Sequence, residues 1–159
     1  PAVMEALAEA ISDATALAAA ELVGLSDRAF EITLDYIKTR EQFDKPIGSF
    51  QVIQHRAVDL HVMREVAQAG VREALAQMDS ETDPKIRAGL ASRAKARAVT
   101  AAKKITRDAI QLHGAVGYTD EFDIGLYLNR ALVLSAWLGD DAYHRRVWFD
   151  GREEVGAAQ

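Results

Sequence analysis

The sequence predicts an all-α chain folded as an antiparallel up-and-down four-helix bundle with a short extra C-terminal helix. Apolar residues recur at intervals near three and four along several long stretches, as the buried face of a helix requires. The connections between these stretches are short and punctuated by Pro or Gly, which favours antiparallel neighbours. No apolar and polar alternation runs longer than a few positions, and neither an internal repeat nor a low-complexity linker interrupts the chain.

Ile11, Ala18, Leu22, Leu25, Ala29, Ile32 and Tyr36 share one face, so a first helix is expected from near Glu5 to about Arg40. The Asp44-Lys45-Pro46-Ile47-Gly48 segment breaks it. Phe50, Ile53, Ala57, Leu60, Met63, Ala67, Val71, Leu75 and Met78 then restart the pattern in a second helix ending near Asp79. Ser80 to Asp83 offers an N-cap, and Pro84 suits the first position of a third helix, where its missing N–H costs nothing. Ile86, Leu90, Ala94, Ala98, Ala101, Ile105, Ala109 and Leu112 mark the buried face of that helix, and its alanines allow neighbours to approach closely. Gly114 and Gly117 stop it. A fourth helix is expected from about Phe122 to Leu138, and Gly139 separates it from a terminal helix carrying Tyr143, Val147 and Trp148.

Composition narrows the function classes. With 159 residues, 49% of them apolar, the chain can bury a core of one domain. The absence of cysteine excludes a disulfide framework, a thiolate nucleophile and a Cys-based zinc site, and agrees with a cytoplasmic protein. No apolar run approaches the roughly 20 residues of a membrane span, and no signal-peptide pattern opens the chain. A net charge of −5 argues against nucleic acid as the main partner. Lys85, Arg87, Arg93, Lys95, Arg97, Lys103, Lys104 and Arg107 make the third helix basic, with a solvated face as the default reading. A di-iron bundle needs two Glu-x-x-His pairs, and none occurs. His55, His61 and His113 lack ligand spacing and read as polar-face or hydrogen-bonded residues.

Two blocks carry chemistry. The first runs from Tyr36 to Gln51 and contains Arg40, Phe43 and Gln51; the second is Gln111-Leu112-His113-Gly114-Ala115-Val116-Gly117-Tyr118. On local grounds Arg40 complements the negative end of a helix dipole, and Gly114 and Gly117 terminate a helix. Together, about sixty residues apart, the blocks closely resemble two ordered motifs of the acyl-CoA dehydrogenase C-terminal domain. The resemblance implies that Arg40 and Phe43 reach the FAD of a neighbouring subunit and that Gln51, eleven positions after Arg40, contacts the same flavin. It also implies that Gln111 bonds a nucleotide edge or phosphate, while Gly114 and Ala115 keep bulk low beside the cofactor. The family usually has two consecutive glycines at that place, and this chain has Gly114-Ala115.

In that family a glutamate directly before a glycine removes the α-proton of the acyl-CoA while flavin takes hydride from the β-carbon. The position, about twenty-one residues beyond the glycine-aromatic pair, falls on Leu138-Gly139. A minority branch carries its glutamate twenty-two residues before the tyrosine matching Tyr36, and that position is Ala14. Neither can accept a proton. Asp13 and Asp140 lie next to these positions and either could serve if the register or backbone differs, but in an undistorted helix Asp13 is turned from Ala14 by about 100°. Asp13 therefore reads as a solvated or capping carboxylate, and Asp140 and Asp141 as caps of the last helix, with His144 and Arg145 compensating Asp141.

The resemblance accordingly implies a subunit of a heteromeric acyl-CoA dehydrogenase that helps hold FAD while its partner supplies the glutamate. Such paired subunits occur in the family, notably in bacterial steroid and side-chain breakdown. Residues 1–159 are expected to form one domain, without the family's N-terminal helical and middle β-domains, and to act on no substrate alone. The implied setting is a homo- or hetero-oligomer, a tetramer, with acyl-CoA as substrate and an electron-transfer flavoprotein as acceptor. The competing reading is a non-enzymatic helical oligomerisation module, with Trp137, Leu138, Trp148 and Phe149 as a contact patch.

Overall fold

The computed structural model describes the backbone of residues 2–119 and 122–157 and side chains through residue 151. Helix α1 (Ala2–Thr39) leads into a hairpin of two-residue strands, β1 (Glu41–Gln42) and β2 (Lys45–Pro46). A 3-10 turn (Ile47–Ser49) precedes α2 (Gln51–Ser80) and α3 (Pro84–His113), and a second (Gly114–Tyr118) precedes α4 (Ile124–Ala136) and α5 (Asp141–Ala157). The expected bundle is present.

Helix α1 is 38 residues long, about 57 Å at 1.5 Å per residue. Of its predicted face, Ala18, Leu22 and Ala29 are buried, whereas Leu25, Ile32 and Tyr36 are half-buried and Ile11 is exposed. Ile11 is bare because the neighbouring helices stop short of it. Arg87, in the first turn of α3, already pairs with Asp13 at 2.7 Å, and residues 2–11 lie beyond that contact. Ser26 and Thr33 also occupy the interior, each donating its hydroxyl to the carbonyl four residues back, at 2.6 and 2.7 Å. A buried hydroxyl satisfied within its own turn behaves as a small core residue.

Between α1 and α2 the chain makes a hairpin where only a turn was expected. Glu41 pairs with Pro46 and Gln42 with Lys45, and Phe43 and Asp44 take φ of 56° and 60°. Two consecutive left-handed residues are the mark of the primed turns that match strand twist, here made without glycine. Gly48 then passes so close to α1 that a Cβ would stand 2.8 Å from the Ile37 carbonyl oxygen.

Helix α3 is the axis of the bundle, packed against α1, α2, α4 and α5. Its start follows the expected chemistry: the Asp83 carboxylate accepts from Lys85 N–H at 2.8 Å, with Pro84 in the first turn. Ala91, Ala94, Ala98, Ala101, Ala102 and Ala109 are buried along it, and their small side chains let four helices crowd one rod. Ile86, expected in that row, is exposed near the open end. Apolar clusters run from Ala16, Met78, Leu90 and Ala91 at one end to Phe30, Ile37, Leu60, Ile105 and Ile124 towards the other.

The last two helices differ from expectation in length. Helix α4 has 13 residues and stops at Ala136, because Leu138 and Gly139 turn left-handed with φ of 61° and 108°. Helix α5, the extra C-terminal helix expected, has 17 residues and packs on α3.

Candidate functional site

The antiparallel course brings the C-terminus of α1, the N-terminus of α2 and the C-terminus of α3 to one end, and with them both sequence motifs. Tyr36 joins them. Its hydroxyl donates to the His113 carbonyl at 3.2 Å, its ring stacks on the His113 imidazole at 4.3 Å, and Phe122 meets it edge-on at 5.4 Å.

Arg40 stands one residue past α1 and so lies beyond the helix proper. Its N–H donates to the Tyr36 carbonyl and its carbonyl accepts from Ile47 N–H, each at 2.8 Å. Its side chain is exposed and takes part in no ion pair among the described residues. Phe43, at the hairpin tip, is 84% exposed with its ring edge 6.0 Å from Phe50. Positive φ strains a bulky residue such as Phe43, and the exposed Arg40 guanidinium keeps its planar donors available for a bidentate partner. Gln51 opens α2, also exposed, at an end whose dipole favours anions.

Gln111 and Ala115 are exposed and Gly114 adopts a φ of 65°, with open space where a Cβ would stand. The Gly114-Ala115 departure therefore adds a methyl to an exposed turn and not to a packed one. Gly117 is different: a Cβ there would lie 2.7 Å from the Ile110 carbonyl oxygen, so the 3-10 turn folds tightly back on α3. Gln111 also borders an open groove of about 480 Å³ with Arg56, Arg107, Tyr118 and Leu128. Asp108, a carboxylate on its wall, is paired with Lys104 at 2.7 Å, which leaves the groove cationic.

His113 does not face that surface. It is buried, Nδ1 lies 2.8 Å from the Ala109 carbonyl and Nε2 has no partner. Burial holds its pKa below the usual histidine range, the Ala109 bond opposing.

The positions next to which Asp13 and Asp140 stand lie away from this end. Leu138 is half-buried at the α4–α5 bend, and Ala14 is half-buried on α1. Asp13 is engaged by Arg87, which also donates to the Met78 and Glu81 carbonyls. Asp140 caps α5, its Oδ1 accepting from Tyr143 N–H at 2.8 Å. Asp141 lies 3.8 Å from Lys103 and 3.7 Å from Arg145, as a compensated carboxylate should.

Lys95 and His144 differ from expectation. Lys95 is not part of a solvated face: it is fully buried and its Nζ donates to the Trp137 carbonyl at 2.8 Å. His144 does not compensate Asp141, being buried with Nδ1 3.0 Å from the Ser92 hydroxyl and Nε2 unpartnered. Burial first, then the Lys95 charge, depresses its pKa. The sequence did hold a signal for Lys95, which sits three residues after Ser92 and four before Val99 on the inner row of α3. From Lys95 to His113 is eighteen residues of α3, so the Leu138 bend lies about 27 Å from the motif end.

Among the described residues no group of three or more His, Cys, Asp or Glu could hold a metal ion, and no helix is long and apolar enough to cross a membrane.

The two motifs lie at one end of an up-and-down helical bundle, and a left-handed bend at Leu138 and Gly139 lies far along its axis. Residues 4–150 match the acyl-CoA dehydrogenase C-terminal domain. The chain is 38% identical over 126 residues to the acyl-CoA dehydrogenase IpdE2 of Mycolicibacterium smegmatis, covering 79% of this chain and 38% of that protein. It is 43% identical over 101 residues to the 3-sulfinopropanoyl-CoA desulfinase of Paraburkholderia xenovorans, covering 64% of this chain and 25% of that protein. Its fold superposes with a TM-score of 0.83 and 30% identity on the Tcur3481-Tcur3483 steroid acyl-CoA dehydrogenase G363A variant, covering 93% of this chain and 40% of that one. The chain belongs to the acyl-CoA dehydrogenase family. It spans less than two-thirds of the length of these relatives.

Proposed function

We propose that this chain is the C-terminal bundle of a flavin-dependent enzyme acting on acyl-CoA thioesters, and that it holds part of the FAD of a neighbouring subunit without supplying a base at position 138. One observation carries the reading: the exposed Arg40 and Phe43 stand at the same end as Gln111 and the open turn at Gly114, tied to it through Tyr36 and His113. These residues fit a dinucleotide. Arg40 offers planar charged donors to a pyrophosphate, Phe43 an aromatic face, Gln51 and Gln111 amide groups, and Gly114 and Ala115 an unobstructed backbone. Bound FAD would supply the hydride acceptor of an α,β-dehydrogenation. The carboxylate that removes the α-proton would come from a partner subunit, since Leu138 and Ala14 cannot, Asp13 is held by Arg87 and Asp140 caps α5. The proposed assembly is a homo- or hetero-oligomer, with an electron-transfer flavoprotein as a candidate acceptor.

The likeness to a desulfinase favours a second reading, in which an apolar residue 138 suits acyl-CoA chemistry that needs no α-proton abstraction. Both readings are tested by co-expressing the full-length protein with a neighbouring dehydrogenase-like subunit and recording flavin absorbance as acyl-CoA is added. Bleaching only with the partner present supports the shared site, and bleaching by the protein alone overturns the missing base. Sulfite release from a sulfinated acyl-CoA without bleaching supports the second reading. A stable oligomer that binds no flavin returns the assembly module.

A further inference from the structure

The bend between α4 and α5 is held from two sides by buried polar side chains that the proposed function does not use. From α3, the Lys95 ammonium donates to the Trp137 carbonyl at 2.8 Å. From α5, the His144 ring stands against Gly139, where a Cβ would lie 3.1 Å from Nε2, and is held at Nδ1 by Ser92 at 3.0 Å. Between the two lies Leu138, a non-glycine residue at φ 61°.

We propose that Lys95 is a positioning residue: by holding the Trp137 carbonyl it fixes the peptide plane between residues 137 and 138, and so the direction in which side chain 138 leaves the backbone, whatever that side chain is. Three observations support this. The lysine is fully buried, and burial is the sole cause displacing its pKa, downward, so no carboxylate compensates it. An apolar residue of like volume would serve the core at least as well as an uncompensated cation, so stability alone does not account for it. Its acceptor lies just past Ala136, at the negative end of the α4 dipole, where backbone can stabilise a buried cation. The bend is therefore built by residues other than the one it presents.

The functional consequence rests on the reading that residue 138 faces the acyl-CoA, whereas the geometry does not. The test is hydrogen exchange on the full-length protein in its complex, wild type against Lys95→Met, with Lys95→Leu as a second apolar replacement should the first not fold. Loss of the contact is expected to raise amide exchange across residues 137–144 about tenfold, with α1 and α2 unchanged. Unchanged exchange at the bend, or an equal rise throughout the bundle, overturns the proposal. In a Leu138→Glu background that bleaches flavin, adding Lys95→Met is expected to lower kcat about a hundredfold with little change in KM. Unchanged kcat there overturns it. If Leu138→Glu bleaches nothing, the acyl-CoA reading of position 138 fails, and the exchange result still decides the role of Lys95.

Discussion

At the residue scale, backbone conformation and burial decide what each position tolerates. Gly139 combines a φ of 108° with a Cβ position only 2.5 Å from Tyr143 Cδ1. Gly139→Ala is expected to lower stability by about 2–4 kcal/mol, read as a fall in the urea midpoint. Gly125 offers the contrast, since it lies within α4 with nothing within 4 Å of its Cβ position. Because Gly125 is only the second residue of α4, Gly125→Ala should stabilise by no more than about 0.5 kcal/mol, read from the same urea midpoint. His113 and His144 set the acid response. Each is held below the ordinary histidine value of 6.5 in the folded chain, so the unfolded chain takes up protons first as pH falls. Stability is then full above pH 6.5 and declines below it, until the folded-state values are reached. Urea unfolding at pH 7.5 and 5.5 should show that decline, and His144→Gln should reduce it.

At the element scale, the helices were readable and their ends were less so. Asp83-Pro84 announces the start of α3 because capping is local chemistry written in adjacent residues. Asp83→Ala is expected to cost about 1 kcal/mol, measured by thermal or urea unfolding. The hairpin after α1 was not readable as strands, since Phe43 and Asp44 are not the residues that usually make a primed turn. Its shape depends on contacts with α1 and on Gly48 passing under Ile37. Helix α4 ends at Ala136 and not at Leu138 because Leu138 and Gly139 turn left-handed, beside a Trp137 carbonyl that Lys95 of another element holds.

Across the whole molecule, about 27 Å along α3 separates the motif end from the Leu138 bend, so under the proposed function one chain contributes to two different sites. The two functions should then be separable by mutation. Arg40→Met is expected to weaken flavin retention by about ten- to a hundredfold, the loss of one charge-assisted hydrogen bond, as measured by flavin content after dialysis. Leu138→Glu should leave flavin content unchanged and alter only the reaction with acyl-CoA. Loss of flavin in both variants would show that the two positions serve one site.

The sequence by itself determined the all-α class, the order of the helices and the two motifs, because helical periodicity, caps and a fixed motif spacing are properties of neighbouring residues. It also showed that no carboxylate stands at position 138 or 14. Tertiary structure alone decided that His144 is interior, that Lys95 meets the Trp137 carbonyl, that Asp13 is held by Arg87 and that α5 packs on α3. The reason is physical: whether a charged or hydroxyl side chain meets water or a carbonyl depends on which helix lies opposite. That is fixed only when the other helices pack against α3.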